Sequence, residues 1–231
     1  MAVVLITGAN KGLGLETARQ LVAAGHTVHA GTRSVARGSA AEEVGALPVQ
    51  LDVTADASVA AAAASIGSLD VLVNNAGIGP EWTPSGVIGP GEVTADLMRQ
   101  TFETNVFGMV RVLHAFLPLL QRSPNPVVVN VSSRLASLSS AATPGAPGSG
   151  YPGVAYPASK AAVNMVTVQY AKAFPRMRIN AVEPGFTATD LNGGTGRQTV
   201  EQGAEIIVRM AQVGQDGPTG GYFDASGALP W

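Results

Sequence analysis

The sequence predicts an α/β fold: a doubly wound parallel sheet in three layers, forming a single domain. Three observations carry that expectation. Short β-branched runs near 2–7, 27–31, 48–51, 69–73, 126–131 and 178–183 alternate with helical stretches, the rhythm of consecutive βαβ units. The first run passes through a glycine-rich turn straight into a helix. At 231 residues and 46% hydrophobic, the chain can bury one large core, and no linker or repeat divides residues 1–231.

In chain order, Ala2-Val3-Val4-Leu5-Ile6 is apolar throughout, as a strand buried on both faces requires. Thr7-Gly8-Ala9-Asn10-Lys11-Gly12-Leu13-Gly14 then makes the turn, and 15–24 reads as a helix closed by Gly25. The second strand, Thr27-Val28-His29-Ala30-Gly31, runs into Thr32-Arg33-Ser34. The third, Pro48-Val49-Gln50-Leu51, delivers Asp52-Val53, and the fourth delivers Asn74-Asn75-Ala76-Gly77. The segment 78–91 holds four glycines and three prolines and reads as a connection. A helix is expected over 97–122, carrying Asn105. The strand Val127-Val128-Val129-Asn130-Val131 ends at Ser132-Ser133. The stretch 134–155 contains Thr143-Pro144-Gly145-Ala146-Pro147-Gly148 and reads as a loop, either shaping a cleft mouth or idle. A helix follows over 156–174, then the strand Ile179-Asn180-Ala181-Val182 and Pro184-Gly185-Phe186-Thr187. The segment 191–196 has the composition of a mobile lid, and an edge strand is expected near Gly221-Tyr222-Phe223.

Two of these features carry chemistry. Strand, glycine turn and helix N-terminus together form a phosphate cradle, because bare N–H groups and the positive end of the helix dipole face an anion. Glycines at Gly8, Gly12 and Gly14 let the backbone come close to a pyrophosphate, which makes the expected sheet Rossmann-type. The second feature is Tyr156-Pro157-Ala158-Ser159-Lys160. Residues four apart share a helix face. A phenol ionises near pH ~10, and an adjacent ammonium lowers that value, so the pair suits general acid/base exchange between carbonyl and alcohol. Pro157 fits the first helical turn and puts Tyr156 at the helix entrance.

Taken in order, these motifs resemble the short-chain dehydrogenase/reductase family over nearly the whole chain. The T-G-x-x-x-G-x-G spacing, N-N-A-G, the mid-chain Asn, the serine pair, Y-x-x-x-K and P-G all occur in sequence. The resemblance implies that Tyr156 exchanges the proton and that Lys160 tunes it and binds the nicotinamide ribose. It gives Ser133 the substrate oxygen, with Ser132 as a structural neighbour, and Asn105 a water that links Lys160 to solvent. It assigns Gly8, Asn10, Lys11, Gly12, Leu13, Gly14, Asn75, Ala76 and Gly77 to the cofactor, along with Asp52 and Val53 at the adenine. Pro184, Gly185 and Thr187 would meet the nicotinamide carboxamide, with Thr189 as the competing candidate. Ser133 and Tyr156 lie 23 positions apart, a longer gap than compact members have. The extra residues resemble the inserted loop of the carbonyl-reductase branch.

The nicotinamide cofactor expected is NADP(H). Dinucleotide sites selective for NAD place an acid about 20 residues past the glycines, on the ribose 2′-hydroxyl. Here no carboxylate follows the second strand; Arg33 stands there, with Arg37 nearby and Lys11 inside the glycine turn. These bases suit a 2′-phosphate.

The implied reaction is reduction of an aldehyde or ketone, or oxidation of an alcohol, on a small-molecule substrate. A nucleotide-sensing regulator on the same fold is the alternative, although such proteins typically lose the Tyr/Lys pair. The absence of cysteine excludes disulfides and thiolate metal sites, and no other metal ligand set is evident. A net charge of −2 without a basic cluster argues against nucleic acid. No apolar run approaches the ~20 residues of a membrane span, and a strand starting at Ala2 leaves no room for a leader, so a cytoplasmic protein is expected. Family members commonly pair through the helices equivalent to 97–122 and 156–174, which favours a homo-oligomer, dimer or tetramer. The 134–155 insertion is the counterweight, and a monomer stays open.

Overall fold

The computed structural model describes residues 1–34 and 39–231. In chain order the first half contains β1 (Val3–Thr7), α1 (Gly12–Ala23), β2 (Thr27–Thr32), α2 (Ser39–Glu43), β3 (Leu47–Gln50), α3 (Asp56–Ser65) and β4 (Val71–Asn74). A hairpin of β5 (Trp82–Thr83) and β6 (Gly86–Val87) precedes α4 (Ala95–Phe102) and α5 (Met109–Leu120). Then come β7 (Val127–Val131), α6 (Leu138–Ala141), α7 (Ala155–Ala173), β8 (Arg178–Val182), α8 (Val200–Ala211), β9 (Tyr222–Asp224) and β10 (Gly227–Ala228).

Among the described residues the main sheet has eight strands in the order β10-β9-β8-β7-β4-β1-β2-β3, parallel except for β10 against β9. The chain winds outward from β1 to β3 on one side and from β4 to β9 on the other. Between β1 and β4 the direction reverses, which opens a crevice at the carboxyl ends of the strands. Alternation along each strand builds the layers. Val4 and Ile6 join Leu21, Val129, Ile206 and Ile207 on one face, with α1 and α8. Leu5 joins Leu72, Phe116, Val128, Val163 and Ile179 on the other, with α5 and α7. Each such side chain contributes about 1.5–3 kcal/mol by burial.

The expected strands all form, most within one or two residues of their expected bounds. Three details differ. The first helix begins at Gly12 rather than 15, because Gly8 (φ 66°) and Gly12 (φ 55°) complete the turn sooner than the apolar pattern indicates. The expected helix over 97–122 is α4 and α5 joined by a π-helical turn, Glu103–Gly108, which holds Asn105. Such a turn inserts one residue into the helical period and commonly marks a functional position. Gly108 faces Val53 there so closely that an added Cβ would lie 2.8 Å from a Val53 methyl. The 134–155 stretch is not featureless: a 3₁₀ turn, Arg134–Ala136, and α6 occupy its first half.

Candidate active site

A single cleft of about 1320 Å³ runs across the carboxyl ends of the strands and gathers nearly every residue singled out from the sequence. At one end lies the glycine turn, with Gly8, Asn10, Lys11, Gly12, Leu13 and Gly14 on its wall. Asn75 fixes this turn to the end of β4: its side-chain amide donates to the Thr7 carbonyl at 2.9 Å and the Gly8 carbonyl at 3.2 Å. The Ala76 N–H donates to the Thr7 hydroxyl at 3.0 Å. A Cβ at Gly14 would sit 2.5 Å from the Asn75 amide nitrogen and 2.6 Å from the Gly8 carbonyl. At Gly14 the turn therefore has room for backbone alone, which suits a cradle for a pyrophosphate.

Arg33, Asp52 and Val53 continue the same wall. The Asp52 carboxylate accepts from the Thr54 N–H and hydroxyl at 2.9 and 2.7 Å. Burial alone would raise it; the Thr54 hydrogen bonds and the charges of Arg33 and Arg111 hold it below the usual carboxylate range. Arg37 lies outside the described residues. Lys11 is not a free cation, as its place in the sequence suggested: its ammonium donates to Asp190 at 2.6 Å, across the cleft mouth, with both side chains exposed.

The other end of the cleft holds Ser133, Tyr156 and Lys160. Ser133 follows β7, and its hydroxyl accepts from the Leu135 N–H at 3.3 Å, on the same cleft wall as Tyr156. Ser132 instead turns inward, donating to the Asn164 side chain at 2.6 Å. Tyr156 and Lys160 stand one turn apart in α7, with the ammonium 5.6 Å from the ring centroid. That ammonium donates to the Val131 carbonyl at 2.7 Å. Asn105 is buried behind this wall rather than on it. Its amide accepts from the Ile78 N–H at 2.8 Å and donates to the Ile78 carbonyl and the Ser159 hydroxyl, both at 2.9 Å. Gly77 joins the two groups: a Cβ there would meet Asn105 Oδ1 at 3.4 Å and Lys160 Nζ at 3.5 Å.

Burial sets the electrostatics. It pulls the Lys160 ammonium down to about 8. It pushes the Tyr156 phenol up, against the neighbouring Ser133 hydroxyl and with the help of the Glu183 and Glu81 charges. The sequence expectation that Lys160 depresses Tyr156 is thus outweighed in this geometry, because desolvation of the phenolate dominates. Burial also raises the Glu183 carboxyl, against Arg134, which pairs with Asp224 as well.

Pro184, Gly185, Thr187 and Thr189 line the cleft after β8. The Thr187 hydroxyl is engaged with the Pro184 carbonyl at 3.1 Å and the Gln198 amide at 2.9 Å. Thr189 caps the 3₁₀ turn Asp190–Asn192, so the 191–196 segment continues a structured cleft wall. Of four groups that the sequence reading left out or left open, three complete the walls and one lies buried behind them. Pro147, Gly148, Gly150 and Tyr151 of the 134–155 stretch face the cleft, the position that the first of its two readings requires. Trp82 meets the Tyr156 ring edge-on at 4.7 Å. Glu81 is fully buried beside it, and Glu183 lines the floor. An acid flanked by apolar residues inside a Gly/Pro connection was the one available signal for Glu81.

Among the described residues, no cluster of His, Cys, Asp and Glu could hold a metal ion, and no helix is long and apolar enough to cross a membrane.

Comparison with known proteins agrees with this geometry. The family model described as short chain dehydrogenase matches residues 2–200. "Short-chain dehydrogenase/reductase 1" of Saponaria officinalis is 36% identical, with 98% of this chain and 95% of the relative covered. A (+)-neomenthol dehydrogenase of Capsicum annuum is 32% identical, with 95% and 94% covered. The crystal structure of NADPH-bound carbonyl reductase from chicken fatty liver superposes with a TM-score of 0.85 at 26% identity, covering 100% of this chain and 99% of that one. This chain belongs to the short-chain dehydrogenase/reductase family, oxidoreductases that bind a nicotinamide cofactor.

Proposed function

We propose that this protein is an NADP(H)-dependent oxidoreductase that interconverts an aldehyde or ketone with its alcohol, using Tyr156 as acid/base. The observation that carries the reading is the convergence of Ser133, Tyr156 and Lys160 at one end of a cleft whose other end is the glycine turn. The glycine turn fits a dinucleotide pyrophosphate, and the absence of a carboxylate after β2, with Arg33 and Lys11 on the wall, favours a 2′-phosphate. When bound, the cofactor supplies or accepts the hydride.

The chain's own residues handle the proton and the oxygen. Ser133 donates a hydrogen bond to the carbonyl oxygen as charge builds there. The Tyr156 phenol, held protonated by burial, donates its proton to that oxygen during reduction and recovers it in reverse. Lys160, whose ammonium titrates at about 8, passes the replacement proton from the Asn105 side of the wall to Tyr156 during reduction. Trp82, Leu135, Tyr151 and Phe186 keep water from the reacting oxygen and favour a substrate with an apolar body.

A panel of benzaldehyde, cyclohexanone and naphthoquinone, each followed by NADPH and by NADH oxidation, tests the reading. Turnover of at least one carbonyl with NADPH preferred is expected. Binding of NADPH without turnover across a broad carbonyl panel would favour a sensor instead.

A further inference from the structure

Glu81 is fully buried, yet it belongs to a glycine- and proline-rich connection. Its carboxylate accepts three hydrogen bonds: from the Tyr151 hydroxyl at 2.6 Å, from the Ala155 N–H at 2.7 Å and from the Tyr156 N–H at 3.1 Å. The last two donors are the first N–H groups of α7. That helix lacks the ordinary means of satisfying them, because its N-cap, Val154, offers no side-chain acceptor and its first turn has no acid. Glu81, 74 residues upstream of Ala155, is the cap. A negative charge also suits the positive end of the helix dipole. The loop is fitted to it, since any Cβ at Gly153 would collide with the carboxylate.

We propose that Glu81 is a positioning residue for Tyr156: one carboxylate caps the helix that carries the phenol and ties the Tyr151 wall of the cleft to it. This rests on Tyr156 being the acid/base. The same segment grips its surroundings on both sides of Glu81. Ile78 exchanges two hydrogen bonds with Asn105, and Trp82 packs against the rings of Tyr156 and Tyr151. The segment 78–82 thus sets the distance between the Asn105 wall, α7 and the 134–155 loop, and Glu81 is its anchor on α7.

A second consequence is electrostatic. The groups around Tyr156 are Lys160 on its own helix, Ser133 and Arg134 after β7, Glu183 after β8, Tyr222 and Asp224 on β9, Tyr151 in the loop, and Glu81. Arg134 pairs with Asp224 and Glu183. Burial does most to disfavour a phenolate at Tyr156, and the Glu81 charge adds to it, favouring the proton-donating form that reduction needs.

Full-length Glu81→Gln, Glu81→Ala and Tyr156→Phe, measured beside the wild type, test this. The readouts are NADPH binding, kcat for the best carbonyl of the panel, and the pH profile for oxidation of its alcohol. Glu81→Ala leaves two helix donors without an acceptor and frees Tyr151, so kcat should fall by about tenfold to a hundredfold with NADPH affinity unchanged. Glu81→Gln keeps an acceptor oxygen without the charge. It should restore most of kcat and move the ascending limb of the oxidation profile, where Tyr156 loses its proton, down by roughly 0.5–1 unit. Wild-type kcat in Glu81→Ala overturns the inference, as does a Glu81→Gln limb that does not move. If Glu81→Ala does not fold, the Glu81→Gln limb alone decides. An active Tyr156→Phe overturns the underlying reading and this inference together. An inactive Tyr156→Phe beside Glu81 variants that behave as wild type overturns this inference alone.

Discussion

Replacing Gly14 with alanine puts a methyl group where the glycine turn has no space. The added Cβ would lie 2.5 Å from the Asn75 amide nitrogen, 2.6 Å from the Gly8 carbonyl oxygen and 3.0 Å from Ala9 Cα. Asn75 can swing aside, but only by giving up its bonds to the Thr7 and Gly8 carbonyls. Gly8 is backbone and cannot. Losing two neutral hydrogen bonds costs about 0.5–1.5 kcal/mol each, and overpacking adds about 1–3 kcal/mol. The better helix propensity of alanine returns at most about 1 kcal/mol. The net destabilisation is about 1–5 kcal/mol, or roughly 2–20 °C in Tm for a domain of this size. Cofactor affinity should fall by on the order of tenfold or more, because the displaced carbonyls and N–H groups form the cradle. Gly67 supplies the control: it has no atom within 4 Å of an added Cβ and no positive φ, so Gly67→Ala should stay within about 0.5 kcal/mol of the wild type. Thermal unfolding without cofactor and fluorescence titration with NADPH measure both effects. A Gly14→Ala protein that melts and binds NADPH like Gly67→Ala would refute the reasoning.

Three further expectations follow from the same geometry. Lys11→Ala combined with Arg33→Asp should move the kcat/KM preference from NADPH toward NADH, each lost charged contact costing about 1.5–3 kcal/mol; a wild type equally efficient with NADH contradicts it. The Lys160 ammonium titrates near 8 when folded against 10.5 when unfolded, so between those values the unfolded chain binds more protons and wild-type stability rises with pH. Relative to Lys160→Met, wild-type stability should therefore gain roughly 3 kcal/mol from pH 8 to 10.5 in chemical denaturation, and a difference that is flat with pH would contradict the burial argument. Phe107 and Met165 are exposed, at 52% and 59%, on the helical segments through which family members pair. Light scattering should give a multiple of 23.4 kDa; a mass of one chain means that the face is solvated.

The strands were legible because a parallel sheet covered on both faces needs uninterrupted apolar runs, and Val127–Val131 is buried at every position. The glycine turn and the Tyr/Lys pair were legible because their chemistry is local: spacing within one turn or one helix decides it. What escaped depends on distance in the chain. The Lys11–Asp190 pair joins residues 179 apart, and no spacing rule predicts it. Glu81 sits in a segment whose composition says only "connection", and its partners lie about 70 residues downstream. The π-helical turn at Asn105 hides in an apolar periodicity that one inserted residue barely disturbs. The Tyr156 phenol is raised rather than lowered for the same reason: sequence shows the lysine four residues on, but the burial around both is tertiary.

The proton step tests the account most directly. Tyr156→Phe removes one oxygen atom and keeps the ring that packs against Trp82. The account predicts that steady-state reduction of the best carbonyl substrate with NADPH is lost across the whole active pH range, while the NADPH dissociation constant stays at its wild-type value. A Tyr156→Phe enzyme that retains a substantial fraction of wild-type kcat at any pH in that range would contradict it.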